Sequence, residues 1–269
     1  MFLKICKRII KMYLDNGGGN CEEKITNLGR ILDDNKCVKK EEWFIRCLDK
    51  FKSLDKNKRI SIKEEDFYKC LDDNTTKTIF DTHYEYHQAW AVRCLKKINP
   101  KKHVDISSRI TFNVIVSAFI PIDFYDYRPA KIRNLSDLTC KRADLTDLHF
   151  ESDSIPSLSC MHTVEHIGLG RYGDKIDPEG DLKAISELKR VVKPGGDLLF
   201  VVPVGIPRIQ YNAHRVYSYD MIKNYFSNFE LVNYSLIPDN AIDVGIINNA
   251  EKTQTDNQKY GCGCFWFKK

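Results

Sequence analysis

The chain has 269 residues, 42% of them hydrophobic, enough for one full α/β domain and a small helical addition. Its net charge of +5 is spread over lysine-rich segments with no basic stripe interleaved with aromatics, so nucleic-acid binding is not indicated. The 10 cysteines show neither disulfide nor metal-type spacing, which fits reduced thiols in a cytoplasmic protein and gives no metal site.

At the start of the chain, Phe2, Ile5, Ile9, Met12 and Tyr13 share one side of a predicted helix. Lys4, Lys7, Arg8 and Lys11 lie opposite, and Asn16-Gly17-Gly18-Gly19 ends it. The apolar run is too short and broken to span a bilayer. It also lacks the uncharged core and cleavage site of a signal peptide. A basic amphipathic helix of this kind either rests on an anionic membrane surface or, more commonly, packs on its own domain. Residues 55–62, DKNKRISI, resemble the start of a calcium loop. Arg59 stands at the fifth position, Ile60 at the sixth where glycine makes the turn, and Asp66 at the twelfth where glutamate belongs. A positive charge among calcium ligands favours a plain turn between two helices. Residues 74–78 read as a linker, dividing a helical N-terminal extension, 1–75, from an α/β domain, 76–269.

The second part alternates strand and helix. HVDI at 103–106 is a first strand, the apolar stretch 110–120 a helix, and IDFYD at 122–126 a second strand. The segment at 143–150, ADLTDLHF, reads as a strand end carrying an acidic residue. Another strand, 157–161, follows Pro156 and leaves through a charged, histidine-rich exit. Leu182, Ile185, Leu188 and Val192 recur at helical spacing, and Lys193-Pro194-Gly195-Gly196 is the stop. Residues 198–202, LLFVV, have no polar face, as in a parallel strand covered on both sides. Strand, crossover helix and strand make a right-handed βαβ unit. Ser218 is placed to cap a helix through Met221, Ile222, Tyr225 and Phe226. Strands at 230–237 and 262–267 follow, with Cys262 and Cys264 on one face of the latter, and the polar segment 240–258 reads as a long surface loop.

These segments resemble the class I S-adenosylmethionine-dependent methyltransferases, and more closely a branch of them catalogued as a domain of unknown function. The residues that carry the resemblance are HVDISS at 103–108, YDYRP at 125–129, ADLTDLHF at 143–150, SLSCMHTVEHIGLGRYGD at 157–174, DPEGD at 177–181, LKRVVKPGG at 188–196 and NAHRVYS at 212–218. LKRVVKPGG is common across the superfamily, while GLGRYGD with NAHRVYS marks the branch. The resemblance spans roughly 80–269 and implies a Rossmann-like, doubly wound sheet, mostly parallel with a reversed last strand. It further implies that Asp105 is the acidic residue of the first cofactor loop, that Asp126 holds the ribose hydroxyls, and that Asp144 lies near the adenine amino group. Asp126 follows Asp105 by 21 positions, which suits the spacing of about 20 between first loop and ribose acid. The family's first loop is glycine-rich, because glycine lets backbone approach the cofactor at positive φ. Here it is Asp105-Ile106-Ser107-Ser108-Arg109, with Ser107 as the small residue able to donate a hydrogen bond.

Chemistry in such sheets sits at the carboxyl ends of the strands beside the point where strand order reverses. His162, Glu165 and His166 leave one strand, and Asn212, His214 and Arg215 follow the neighbouring one. Methyl transfer from a sulfonium requires alignment, exclusion of water and often removal of a proton. His162 or His166 is the candidate base, with Glu165 as its orienting partner or as the base itself, and His214 stands on the facing exit. The bland alternative has Glu165 and His166 merely holding the GLGRYGD loop. Arg171, Tyr172 and Asp174 of that loop, with Asn212 and Arg215, are candidates for closing over an acceptor. His162-Thr163-Val164-Glu165-His166 also fits the H-x-x-E-H zinc signature, which would make the protein a hydrolase. That signature needs a long helix, and Gly168 and Gly170 end any helix after about one turn. The reading is a methyltransferase acting on a small-molecule or carbohydrate acceptor, the carbohydrate following from the resemblance alone. The rival is a non-catalytic recognition module on the same fold, its cofactor loop having lost glycine.

Overall fold

A computed structural model describes residues 21–269, with side chains from residue 37 onward. The predicted amphipathic helix of Phe2 to Tyr13, with its candidate membrane contact, lies outside the described residues. The chain divides into two compact units, Met1–Ile79 and Phe80–Lys269. Among the described residues no helix is long and apolar enough to cross a membrane.

In the first unit, helix α1 (Cys21–Leu54) is followed by a turn in which Asp55 Oδ1 accepts the Lys58 backbone N–H at 3.0 Å. Residues 55–66 thus form a turn, but the second helix expected beyond them does not form; a 3-10 turn at Glu64–Asp66 stands in its place. Ile60 and Ile62 are exposed, so no apolar stripe is buried to stabilise a helix there. The segment is tied back to α1 by the Lys69–Glu41 ion pair and by Phe67, whose ring lies edge-on to Phe44.

The second unit begins with α2 (Thr82–Ile98), capped by the Asp81 carboxylate on the Tyr84 N–H. Next come β1 (His103–Ile106), α3 (Ile110–Val116), β2 (Ile122–Asp126), β3 (Leu138–Arg142) and β4 (Ile155–Met161). Then follow α4 (Gly180–Val191), β5 (Val192–Val204), a hairpin of β6 (Arg208–Gln210) and β7 (His214–Val216), and α5 (Tyr219–Tyr225). The chain ends with β8 (Glu230–Ile237), α6 (Ala241–Val244), β9 (Ile247–Asn248), α7 (Lys252–Asp256) and β10 (Gly261–Lys268).

The main sheet has the order β3-β2-β1-β4-β5-β10-β8-β9. Strands β1 to β5 pair parallel, and β10 inserts antiparallel between β5 and β8. This is the class I methyltransferase-type sheet with a reversed last strand. Each face carries its own core, which explains why β5 lacks a polar side. Leu198, Phe200, Val202 and Val204 pack with Ala184, Ile185, Leu188 and Val191 of α4 and Ile222 of α5. Leu199 and Val201 pack oppositely, with Trp90, Ala91 and Leu95 of α2 and Phe112 and Val116 of α3. Each fully buried Leu or Phe contributes about 1.5–3 kcal/mol relative to exposure.

Some boundaries differ from those read off the sequence. The buried stripe of α4 is Ala184, Ile185, Leu188 and Val191, while Leu182 is exposed. Lys193-Pro194-Gly195-Gly196 lies inside the extended strand, at a register shift opposite Ile155 to Ser157. Gly195 has φ +74° and its N–H bonds the Lys269 carbonyl at 2.7 Å, so the motif both ends α4 and anchors the C-terminal strand. Helix α3 stops at Val116, with Ser117 Oγ donating back to the Val114 carbonyl at 2.8 Å. The segment 240–258 is structured by α6, α7 and the pairing of β9 with β8.

Candidate functional site

The strand order reverses between β1 and β4, and the loops leaving these strands are stitched together. Ser107 has φ +57° and His162 φ +54°, left-handed conformations uncommon without glycine. The Ser107 N–H bonds the Tyr125 carbonyl at 2.7 Å, His162 N–H the Val201 carbonyl at 2.8 Å, and Thr163 Oγ1 donates to the Ser107 carbonyl at 3.0 Å. Ser107 therefore adopts the backbone form that glycine serves elsewhere in the fold.

Asp105 stands behind this loop. It is fully buried, and its carboxylate accepts from the Ser108 N–H at 3.1 Å, from Asn113 Nδ2 at 3.0 Å and from Ser159 Oγ. Ser159 and Ser157 also bond the two ring nitrogens of buried His103, each at 2.8 Å. Burial pushes Asp105 up to about 6 against its hydrogen bonds, and burial pushes His103 down to about 3. This network braces the loop from inside the core.

In front of the loop lies a cavity of about 440 Å³, within the usual range for small-molecule sites. Ser107, Asp126 and Asp144 all line it, together with Arg128, Thr146 and Gly168. Asp126 Oδ1 accepts the Arg128 N–H at 2.7 Å; Asp144 Oδ1 accepts Thr146 N–H at 2.9 Å and its hydroxyl at 2.7 Å. These local turns fix both carboxylates at the rim.

A second cavity, of about 750 Å³, is walled by His83, Glu165, Arg171, His214 and Tyr260 among others. The two cavities share Tyr84, His162, His166 and Tyr172. His162 Nδ1 lies 2.8 Å from Glu165 Oε1, and its Nε2 lies 3.3 Å from Cys262 Sγ. His166 turns Nδ1 to the Ala213 carbonyl at 2.6 Å, and its Nε2 lies 3.8 Å from the same Glu165 oxygen. Burial alone would raise Glu165, but His162, by hydrogen bond and charge, and then His166 hold it below the usual range. Val164–His166 is one 3-10 turn, so the H-x-x-E-H residues do not take the helical geometry of the zinc signature. His214 faces Gln210 Oε1 through Nε2 at 2.6 Å; burial, opposed by Glu165 and aided by the nearby Arg171 and Arg208, holds it below its ordinary value.

The GLGRYGD loop is built around Asp174. Its carboxylate accepts the N–H groups of Gly168 at 2.8 Å, Tyr172 at 3.1 Å and Gly170 at 3.4 Å. Burial opposes the charge, yet these backbone donors keep Asp174 below the usual range. Gly168 has φ +80°, and a Cβ there would sit 2.0 Å from the Asp177 carbonyl, so only glycine fits. Tyr172 projects over the shared wall between the guanidinium groups of Arg128 at 4.6 Å and Arg171 at 5.1 Å. Arg215 is buried beneath the loop, donating to the carbonyls of Ile167 at 2.7 Å and Pro178 at 3.2 Å beside Asp181. Asn212 is exposed in the turn of the β6–β7 hairpin. Neither Arg215 nor Asn212 is in the wall of either cavity.

Sequence reasoning gave no site role to His83, Tyr84, His87, Tyr260 or Cys262, which α2 and the start of β10 bring to the same place. His83 stacks on His162 at 5.6 Å and on Tyr260 at 5.0 Å; burial above all, then the charge of His162, lowers it to about 4. Tyr84 is pushed up to about 12 by burial and by Glu165. The available signal was His83 and His87 at i, i+4, one face of a capped helix.

The sequence profile of the family described as "Caenorhabditis protein of unknown function, DUF268" matches residues 144–262. None of the curated proteins compared matches the chain. Similar solved structures include the YcgJ protein of Bacillus subtilis, at 15% identity and TM-score 0.47, covering 69% of this chain and 98% of that one. Another is an S-adenosylmethionine-dependent methyltransferase, possible histamine N-methyltransferase, of Thermotoga maritima, at 13% identity and TM-score 0.45, covering 70% and 90%. A third is a putative sarcosine dimethylglycine methyltransferase of Galdieria sulphuraria, at 12% identity and TM-score 0.45, covering 67% and 83%. Residues 144–262 thus match the DUF268 profile, and the sheet around them is of the methyltransferase-like α/β type, mostly parallel with β10 reversed.

Proposed function

We propose that the chain is an S-adenosylmethionine-dependent methyltransferase, with cofactor in the 440 Å³ cavity and a small-molecule acceptor, carbohydrates included, in the neighbouring one. The observation that carries this reading is the wall of Tyr84, His162, His166 and Tyr172 common to both cavities. Reactants held in two cavities that meet along these shared residues lie side by side, and orientation is the larger part of what methyl transfer needs. The donor set fits the cofactor: a carboxylate at the end of β2 for ribose hydroxyls, a second at Asp144, and Ser107 backbone in the form that permits close approach. When bound, the cofactor supplies an electrophilic methyl group on sulfonium.

The chain's own residues would manage the proton. His166 Nδ1 faces a carbonyl, which only accepts, so in the neutral ring Nδ1 carries the hydrogen and Nε2 holds the free lone pair. A proton leaving an acceptor hydroxyl or amine goes to Nε2, and buried Glu165 beside it stabilises the imidazolium. His162, engaged at both nitrogens, positions Glu165. The loop carrying Tyr172 shields the junction from water.

Calorimetric titration with S-adenosylmethionine tests the reading. Asp126→Ala should weaken binding by about 1.5–3 kcal/mol, the range for hydrogen bonds to a charged group, with the thermal midpoint preserved. With an acceptor in hand, His166→Ala should lower the rate about 10²- to 10⁴-fold at unchanged cofactor affinity. No binding by the wild type at millimolar cofactor would refute the proposal and favour a recognition module.

A further inference from the structure

Three ligand-capable side chains from distant parts of the sequence meet beside the second cavity, which two of them line: His83 on α2, His162 at the exit of β4, and the buried Cys262 on β10. Their candidate donor atoms all lie within 4.8 Å of one another, and His162 Nε2 is 3.3 Å from Cys262 Sγ. Around a tetrahedral zinc ion, nitrogen and sulfur ligands are about 3.3–3.6 Å apart, given bond lengths of about 2.0–2.3 Å. One edge of such a site is therefore at ligand spacing already, and the third ligand needs a shift of about 1 Å to complete it.

We propose that His83, His162 and Cys262 form a site for a divalent transition metal, zinc by ligand type, with a fourth position open to the cavity. The surrounding groups favour it. Ligating histidines generally give their other nitrogen to a carboxylate or carbonyl, which fixes the tautomer and the ring. His162 does so with Glu165 Oε1, leaving Nε2 as the lone pair that faces the thiol. The His83 ring is held by stacking on the Tyr260 ring, with centroids 5.0 Å apart. Two buried acceptors beside the cluster have no hydrogen-bond partner: Glu165 Oε2, and Nε2 of His87, a ring that packs 5.1 Å from His162 with its Nδ1 on the His83 carbonyl. Leaving such atoms unpaired in the interior is unfavourable, and a nearby cation with its bound water relieves that cost. Thiolate and imidazole together select zinc over magnesium or calcium. Binding converts the Cys262 thiol to a metal-bound thiolate and releases one proton to solvent.

This set differs from the H-x-x-E-H reading. His166 is not among the donor atoms that gather within 4.8 Å of one another, and Glu165 acts as an orienting carboxylate behind His162. The proposal does not rest on the methyl-transfer reading, since the ion is detected directly.

Chelator-treated protein titrated with cobalt(II) supplies the test. One equivalent should produce thiolate-to-cobalt charge-transfer absorption in the near ultraviolet and the intense visible bands of a tetrahedral site, both abolished by zinc(II). Cys262→Ser should remove the charge-transfer band. His83→Phe, which retains the ring stacking, should weaken binding about tenfold or more, and Glu165→Gln about 10- to 100-fold with the band intact. Circular dichroism melts establish that each variant is folded, and the more exposed His83 position keeps the test decisive if Cys262→Ser does not fold. The proposal is overturned if wild type gives no charge-transfer band, if the band survives in Cys262→Ser, or if His83→Phe binds cobalt as tightly as wild type.

Discussion

Replacing Arg215 by alanine should destabilise the second unit more than it alters any ligand contact. Arg215 is 5% exposed, and its guanidinium donates to the Ile167 and Pro178 carbonyls, on the two flanks of the GLGRYGD loop. It also lies 3.5 Å from Asp181, which in turn accepts the Tyr217 hydroxyl at 2.9 Å. Hydrogen bonds from a charged donor contribute about 1.5–3 kcal/mol each, though not additively. Removing one partner of a buried ion pair costs about 3–5 kcal/mol, because the other charge is left without compensation. The ion pair and hydrogen bonds share one side chain, so the expected loss is about 3–5 kcal/mol and not their sum. With a urea slope of about 3 kcal/mol per molar for a domain of this size, the unfolding midpoint should fall by about 1–1.7 M at unchanged slope. Arg215→Lys, which reaches one carbonyl at most, should recover part of that. A loss below about 1 kcal/mol would show that water satisfies these carbonyls and that Arg215 does not hold the loop. An unchanged midpoint with a large loss of acceptor binding would restore the substrate-contact role expected from sequence.

Two further outcomes are expected. Ser107→Gly should leave cofactor affinity within about threefold, because the serine backbone already has φ +57°. It should also change stability by less than about 1 kcal/mol: relief of a left-handed residue, worth about 1–2 kcal/mol, is offset by the added freedom of the unfolded chain. Ser107→Val, β-branched at positive φ, should lose about 2 kcal/mol; calorimetry and urea melts check both, and a tenfold gain in affinity with glycine would refute the claim that the serine loop is already in the receptive form. For Asp105, burial raises the folded-state value from 3.8 to about 6, so the folded state holds a proton that the unfolded state has lost between those values. The sign follows: stability from this group is full below about pH 4 and declines as pH rises to about 6, by about 3 kcal/mol for a shift of about two units. Wild type should therefore lose that amount relative to the non-titrating Asp105→Asn across the interval, as read from urea midpoints; a flat difference would mean that Asp105 stays ionised.

The layered fold was legible because its strongest signals are set by burial on both sides of one sheet. LLFVV at 198–202 has no polar residue since Leu198 and Phe200 enter one core while Leu199 and Val201 enter the other. The α4 stripe was legible for the same reason, although Ala184 and Val191 carry the buried face that Leu182 was expected to share. What stayed hidden depends on pairing at a distance. Lys193-Pro194-Gly195-Gly196 reads as a stop, but Gly195 and Gly196 exchange hydrogen bonds with Lys269, and nothing local announces that partner. The structured turns of 240–258 rest likewise on β9 finding β8 and on Asp239 accepting the N–H groups of Lys259 and Tyr260.

The same distinction governs the candidate site. Residues at the exits of parallel strands are constrained by topology: given the strand order, Ser107, Asp126 and His162 must come out at one edge, and all three line the 440 Å³ cavity. Type alone does not say which residues at that edge face a ligand. Asp105 and Arg215 have the chemistry of a binding site, yet Asn113, Ser108 and Ser159 take up the first, and Ile167, Pro178 and Asp181 the second. A buried charge is tolerable where such partners exist, so the geometry that makes these residues permissible also assigns them to support. His83, Tyr260 and Cys262 show the converse. They lie on a helix that precedes the first strand and on or beside the reversed strand β10, outside the exits that topology marks. They meet His162 only because α2 packs across β5, β8 and β10, placing residues 83, 162 and 262 around one point. Of the four residues common to both cavities, His162, His166 and Tyr172 thus follow the parallel strand β4 while Tyr84 comes from α2, and only the first three have a local signature.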